Sequence, residues 1–333
     1  MPGLATRRLA GLDTEVSAIG AGCWTIGGPA SNDGVPIGWD DVDPTAAYAG
    51  LVAAHEQGVT LFDTADVYGL GHSERLLGTL LRTIDRSRVV VSSKVGYYSG
   101  NGTHPYAAAQ IMRRFASTLD NLGTDYLDLY AVHSSDFGAD DHYLPEAVTV
   151  LADLRARGLI RAVGMRAPHV FAEEWAHGNS PHAAATARFL QLFDAIRPDV
   201  LTARYNLLSP IYRPGETDIF TFGQRHGVGI CVKQALGQGL LVTARLDPDR
   251  QFSSGDHRSR DPGFRPVAVR ELRQRLAPLR GLRVHSHGPG SCCRGLRRSP
   301  CPGFTDTGRV PRPRPDPHDH IQPRPSTVAT RVR

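Results

Sequence analysis

The sequence predicts an α/β protein, a (β/α)8 TIM barrel, and two observations carry that expectation. Seven short apolar runs alternate with segments of helical spacing, the pattern of repeated strand–helix units and a parallel sheet. The predicted strand ends at Asp63, Lys94, His133, Gly164, Tyr205 and Lys233 lie 31, 39, 31, 41 and 28 residues apart. A (β/α)8 barrel of about 250 residues allots roughly 31 to each unit. A doubly wound sheet is the competing fold, but GAGCWTIGG after the first run is a poor match to G-x-G-x-x-G.

The elements follow in order. The predicted strands are Val16–Trp24, Gly58–Asp63, Arg88–Lys94, Tyr126–His133, Ile160–Arg166, Val200–Asn206 and Gly227–Lys233. The stretch RRLAGLDTE before Val16 is expected to form a small hairpin closing the bottom of the barrel. Ser73 is the expected N-cap of a helix carrying Leu76, Leu77, Leu80 and Leu81. Ile111, Phe115, Leu119 and Leu122 make a second stripe ended by Gly123, and Val148, Leu151 and Leu154 a third ended by Gly158. These stripes are core faces.

The chain of 333 residues is 41% hydrophobic and 21% charged, the composition of a folded protein. It has no apolar run of membrane-spanning length and no secretion signal, so a cytoplasmic protein without a membrane partner is expected. The net charge of +5 belongs to the tail: residues 282–333 hold ten Arg against three Asp, or +7, which leaves −2 for the preceding 281. Nine of those 52 residues are proline. The expected division is therefore a barrel at 1–281 and an Arg/Pro-rich tail at 282–333, read as disordered, as the product of a shifted reading frame, or as both; the eighth unit is poorly supported. A nucleic-acid role for the tail lacks an aromatic stacking partner except Phe304. A zinc role for His285, His287, Cys292 and Cys293 fits no standard ligand spacing, so neither nucleic acid nor metal is expected. With five cysteines in all, free thiols are expected.

Only two lysines occur, Lys94 and Lys233, against 36 arginines. Side chains at the C-terminal ends of barrel strands converge on one pocket, and there the sequence places Asp63, Lys94 and His133, with Tyr68 in the loop after Asp63. Each alone has a structural explanation; together they suit proton donation to a carbonyl. An ammonium beside a phenol lowers its pKa, a carboxylate holds the ammonium, and an imidazole orients the substrate oxygen. No side chain supplies a hydride, so a nicotinamide cofactor is implied.

FDTADVYGLGHSERLLG (62–78), SSKVG (92–96), YLDLYAVH, GLIRAVG (158–164) and LGQGLL (236–241) together resemble the aldo-keto reductase family, in its branch of bacterial enzymes and potassium-channel β-subunits, from about Thr14 to about Arg280. The resemblance implies that Asp63, Tyr68, Lys94 and His133 are catalytic and that NADPH binds across the barrel mouth. It implies cofactor contacts at Gly22, Cys23, Trp24 and Asp63, and at the seventh-strand loop Leu236, Gly237, Gln238, Gly239 to Leu241, with Arg245 a phosphate partner. There are departures. The family's Gly-x-Ser-Asn is here Gly164-Met165-Arg166-Ala167, its Gln at the sixth strand is Thr202, and its nicotinamide-stacking aromatic is Lys233-Gln234. Arg166, Lys233 and Gln234 are therefore expected at the cofactor, and Pro302-Gly303-Phe304 could be a remnant of the eighth-strand loop. The resemblance implies reduction of an aldehyde or ketone, or the reverse, and the expected substrate is a small polar metabolite, sugar- or cyclitol-like. Tyr97, Tyr98, His104, Ser134, Ser135 and Asp136 suggest the polar substrate. The alternative is a nucleotide-sensing subunit with little turnover.

Overall fold

The computed structural model describes residues 4–98, 100–241 and 246–280. By its contacts the chain divides into Met1–Gln274 and Arg275–Arg333. The expected eighth strand, the tail from 282, its His285, His287, Cys292 and Cys293, Pro302–Phe304 and Arg245 all lie outside the described residues.

The chain opens with β1 (Thr6–Leu9), β2 (Thr14–Ser17) and β3 (Ala21–Gly22), then a small hairpin of β4 (Ser31–Asn32) and β5 (Val35–Pro36). Strand and helix then alternate: α1 (Pro44–Glu56), β6 (Leu61–Asp63), α2 (His72–Leu81), β7 (Val90–Val95), α3 (Ala108–Leu122), β8 (Leu127–Val132), α4 (Leu144–Ala156), β9 (Ile160–Arg166), α5 (Ala183–Ile196), β10 (Val200–Arg204), α6 (Ile219–His226), β11 (Gly229–Lys233) and α7 (Pro266–Arg280). β3 and β6 to β11 form one parallel sheet in sequence order. Among the described residues it has seven strands, with β3 and β11 at its edges.

Both faces of this sheet are buried, as parallel strands with crossover helices require. The outward residues Phe62, Val91, Tyr130, Val163 and Leu201 pack with the helices, including Leu77, Leu80, Phe115 and Leu151, so the leucine stripes are core faces as expected. The inward residues Val90, Leu129, Ala162 and Val200 meet Leu9, Leu12 and Val16 of the β1–β2 hairpin. Those inward residues lie in the N-terminal halves of their strands, so the hairpin plugs the end opposite the strand mouths. Gly164 lies in this narrow interior: an added Cβ would sit 2.7 Å from the Ala131 Cβ and 3.2 Å from Leu129.

Two local expectations change. Val16–Trp24 is not one strand: Val16 and Ser17 pair antiparallel with β1, and Ala21 and Gly22 pair parallel with β6. An apolar run carries no mark of where its pairing partner changes. Ser73 is not an N-cap. Gly71 holds that position, and the buried Ser73 hydroxyl donates to the Cys23 carbonyl at 2.7 Å and meets the Thr64 hydroxyl at 2.9 Å, tying α2 to the residues that follow β3 and β6. Gly123 and Gly158 end their helices in left-handed conformations as predicted.

Candidate active site

Asp63 is the last residue of β6 and Lys94 stands near the end of β7, with Asp63 opposite Ser92 in the ladder. Strand alternation turns Ser92 and Lys94 to the same face as Asp63. The result is a tight cluster. Lys94 Nζ donates to Asp63 Oδ2 at 2.8 Å and to the Thr64 carbonyl at 2.6 Å, while Ser92 Oγ donates to Asp63 Oδ1 at 2.8 Å. Lys94 is buried and its ammonium lies 5.0 Å from the centre of the Tyr68 ring.

The loop that presents Tyr68 is pinned on both sides. Gly69 has φ +60°, and a Cβ there would lie 2.1 Å from the Gly27 carbonyl oxygen, so the loop presses on the segment after Trp24. Beyond the loop, Glu74 is fully buried and accepts from Ser93 and Thr118 at 2.8 Å and from Asn121 at 3.0 Å, joining α2 to β7 and α3. Asp66, paired with Arg114 at 3.2 Å, is pushed up to about 7 by burial and by Glu74. Trp24 stacks on Tyr68 with ring centres 5.8 Å apart. His133 meets Tyr68 edge-on at 5.8 Å and Tyr97 edge-on at 4.7 Å.

The electrostatics correct one expectation. Burial raises the Tyr68 pKa above the usual tyrosine value, and Lys94 opposes that rise without reversing it. The phenol is therefore neutral rather than acidified, because desolvating the phenolate costs more than one ammonium, itself held by Asp63, returns. Burial would lower the Lys94 pKa, but Asp63 and Tyr68 outweigh it and the net shift is upward. Burial, then Lys94, Lys233 and Arg166, hold His133 well below the ordinary histidine range, so its imidazole is neutral. His133 Nδ1 is buried with no partner among the described residues. Burial pushes the Cys23 thiol up to about 12, which removes it as a nucleophile.

A cavity of about 1510 Å³ runs from the β1–β2 hairpin to the strand mouths, lined on one side by β3 and on the other by β11. Asp63, Tyr68, Lys94 and His133 all line it, as do Cys23, Trp24, Arg166, Lys233, Gln234, Leu236, Gln238 and Gly239 from the expected cofactor set. Gly22 also lines it; Gly237 is buried beside Leu241. Arg166 donates to the Tyr97 hydroxyl at 2.5 Å and to His169 Nε2 at 3.0 Å.

Of the six residues expected to mark a polar substrate, Tyr97 alone lines the cavity. The Arg114 guanidinium lies over the Tyr98 ring, and His104 stacks on Tyr143 at 4.4 Å. The Ser134 backbone engages Tyr106, the Ser135 carbonyl accepts from Arg188, and Asp136 caps Gly138. The structure adds Trp39 and His257, whose rings pack on Trp24 at 5.5 and 4.2 Å. His257 is placed by bonds to the Gly38 carbonyl from 219 residues away, a pairing with no local signal.

The sequence profile described as the Aldo/keto reductase family matches residues 18–286. The chain belongs to that family. It is an oxidoreductase of the aldo/keto reductase type, as the motifs around Asp63, Lys94 and His133 led us to expect. It is similar to the aldo-keto reductase YhdN of Bacillus subtilis (strain 168), 27% identical over 82% of this chain and 74% of that one. It is also similar to the NADH-specific methylglyoxal reductase of Escherichia coli (strain K12), 28% identical over 69% and 67%. Among solved structures, the glycerol dehydrogenase AKR11B4 from Gluconobacter oxydans superposes with TM-score 0.59 at 26% identity, over 83% of this chain and 79% of that one. An aldo/keto reductase from Klebsiella pneumoniae in complex with NADP and acetate superposes with TM-score 0.51 at 27% identity, over 73% and 72%. The parallel seven-stranded sheet is thus the (β/α)8 barrel type that the strand spacing predicts. Among the described residues no helix is long and apolar enough to cross a membrane.

Proposed function

We propose that this aldo/keto reductase uses NADP(H) to reduce an aldehyde or ketone of a small polar metabolite, or to run the reverse oxidation, with Tyr68 as the general acid. The observation that carries the reading is the buried Lys94 ammonium, held by Asp63 at 2.8 Å and the Thr64 carbonyl at 2.6 Å against the Tyr68 ring.

The residues present fit an extended dinucleotide. The cavity continues from Tyr68 past Lys233 and Gln234 to Leu236, Gln238 and Gly239, where Gln234 and Gln238 both sit at positive φ, +55° and +56°. Non-glycine residues in that region cluster at ligand-clamping segments. Bound there, reduced nicotinamide supplies the hydride that no side chain can. Trp24 walls one side of the site; Arg166, Thr202 and Lys233 stand where the carboxamide and ring would be gripped.

Tyr68, neutral through burial, donates its Oη proton to the carbonyl oxygen as charge develops there. Lys94 then stabilises the phenolate, and Asp63 with Ser92 keeps the ammonium in register. Neutral His133 donates from Nε2 to the same oxygen, since nothing engages a proton on Nδ1. The relatives include a methylglyoxal reductase and the D-threo-aldose 1-dehydrogenase of Pseudomonas sp, which supports a small polar substrate. The nucleotide-sensing alternative is disfavoured by the tetrad, whose four groups all line one cavity.

Steady-state oxidation of NADPH with a panel of small aldehydes and ketones tests the reading. Turnover abolished in Tyr68→Phe is expected; tight NADPH binding with no turnover of any carbonyl would sink it.

A further inference from the structure

Two loops flank the reacting groups, one after β6 with Tyr68 and one after β7 with Tyr97 and Tyr98, and helix α3 holds both. Arg114 of α3 donates from Nε to Asp66 Oδ2 at 3.2 Å, and its guanidinium carbon lies 4.8 Å from the centre of the Tyr98 ring. Gln110, one turn earlier on the same helix face, donates to the Tyr98 carbonyl at 3.3 Å. Tyr98 in turn packs against the cluster of Ala65, Val67 and Tyr68. Asp66 is fully buried, and its backbone N–H donates to the Lys94 carbonyl at 3.4 Å. Val67, Tyr68 and Tyr97 line the cavity, whereas Asp66, Tyr98 and Arg114 do not. The junction stands outside the cavity.

We propose that Asp66 and Arg114 are positioning residues that lock the loop carrying Tyr68 to the loop carrying Tyr97 and Tyr98, so that the general acid and the Tyr97 wall of His133 keep one arrangement. This rests on the reductase reading above. A buried ion pair is often no more stabilising than apolar side chains of the same volume, so what the pair supplies is geometry. The planar guanidinium serves both loops at once, through Nε on one and its face on the other.

The same junction makes the lock sensitive to pH. Two carboxylates, Asp66 and Glu74 of α2, share the compartment with one guanidinium. The other titratable groups facing it, Tyr130 of β8 and Tyr106 before α3, are neutral phenols held above the usual tyrosine range by burial. Glu74 has donors in Ser93, Thr118 and Asn121, while Asp66 Oδ1 has no partner among the described residues. Asp66 is therefore the carboxyl that takes up a proton, pushed up to about 7 by burial and by Glu74. Ionised, it holds Arg114 through a charge-assisted bond; protonated, through a weaker one. Tyr68 and Lys94 are displaced upward and His133 well downward, so none of those three titrates near that value.

The test follows single-turnover oxidation of bound NADPH by saturating butanal in the full chain, from about pH 6 to about pH 8.5. The expected rate rises about fivefold through an inflection near 7, is low and without that inflection in Asp66→Asn, and falls about tenfold in Arg114→Met with the inflection moved upward. Arg114→Lys keeps the counter-charge, so its inflection stays in place while its rate is intermediate. The Kd of NADPH, whose cavity neither residue lines, stays within about twofold in every variant. A profile flat through 7 in the unaltered chain, or the same inflection in Asp66→Asn, overturns the lock and leaves the reductase reading intact. A loss in Arg114→Met shared equally by rate and NADPH affinity assigns the pair to folding alone and also overturns it. If no aldehyde is reduced, the reductase reading fails, and amide hydrogen exchange decides the lock without it. Faster exchange in Arg114→Met around both Tyr68 and Tyr98 supports the lock; faster exchange around one or neither rejects it.

Discussion

The two walls of the cavity are built on opposite electrostatic plans. On the β6–β7 wall every charge has a partner: Lys94 is held by Asp63 and the Thr64 carbonyl, and Asp63 in turn accepts from Ser92. On the β9–β11 wall Arg166, Arg204 and Lys233 face the same space without an acid in ion-pair reach among the described residues. The first wall is complete as it stands, and under the proposed mechanism it serves proton transfer. The second has no such pairing among the described residues, although Asp261 acts on Arg204 through space. A fold can carry both because strand mouths are open to solvent, where an unpaired cation costs far less than one buried in the interior.

Substitutions should therefore act in opposite senses on the two sides. The largest effect is expected for Tyr68→Phe, which keeps the ring against Trp24 and removes only the hydroxyl: kcat should fall about 100- to 10,000-fold while the urea midpoint stays put, as a general acid is lost without a change in ring packing. Lys94→Met should damage both properties. It leaves Asp63 without its counter-charge and should cost about 2 to 3 kcal/mol in urea denaturation, at or below the low end for breaking a buried pair because the Asp63 side chain is 33% exposed. Stability unchanged in that variant would show the wall is not charge-compensated at all.

His133 reads both walls, since Lys94 on one and Lys233 and Arg166 on the other depress it. Its folded pKa lies below its unfolded value near 6.5, so its contribution is fully present above pH 6.5 and is lost as pH falls toward the folded pKa. The slope should be about 1.4 kcal/mol per pH unit below 6.5. Urea midpoints at pH 6.5 and 5.5 should differ less in His133→Asn than in the unaltered chain. The smallest effect is expected for Lys233→Met: without ligand it should be neutral or stabilising by up to about 1 kcal/mol, because it removes repulsion and no ion pair. A loss of 2 kcal/mol or more would mean the β9–β11 wall is paired after all.

What could be read before folding depended on distance along the chain. Asp63, Tyr68, Lys94 and His133 sit at strand ends or one loop away, where the repeat of about one strand and one helix places them at a common mouth. The scarcity of lysine singled out Lys94 and Lys233. Ser73 and the run Val16–Trp24 failed because a cap and a strand break depend on partners, Cys23 and β1, that local pattern does not name. Arg204, Trp39 and His257 carried no signal, since each matters only through neighbours on other strands or loops.

Periodicity set the leucine faces, because 3.6-residue repeats act locally, while the strand spacing of roughly 31 residues and the motifs around Asp63, Lys94 and His133 pointed to the barrel and to the four-residue constellation. Tertiary structure alone decided the sign of the Tyr68 shift and the gathering of Arg166, Arg204 and Lys233. Both depend on how much water is excluded and on which charges face one another across strands, and neither quantity is a function of position in the chain.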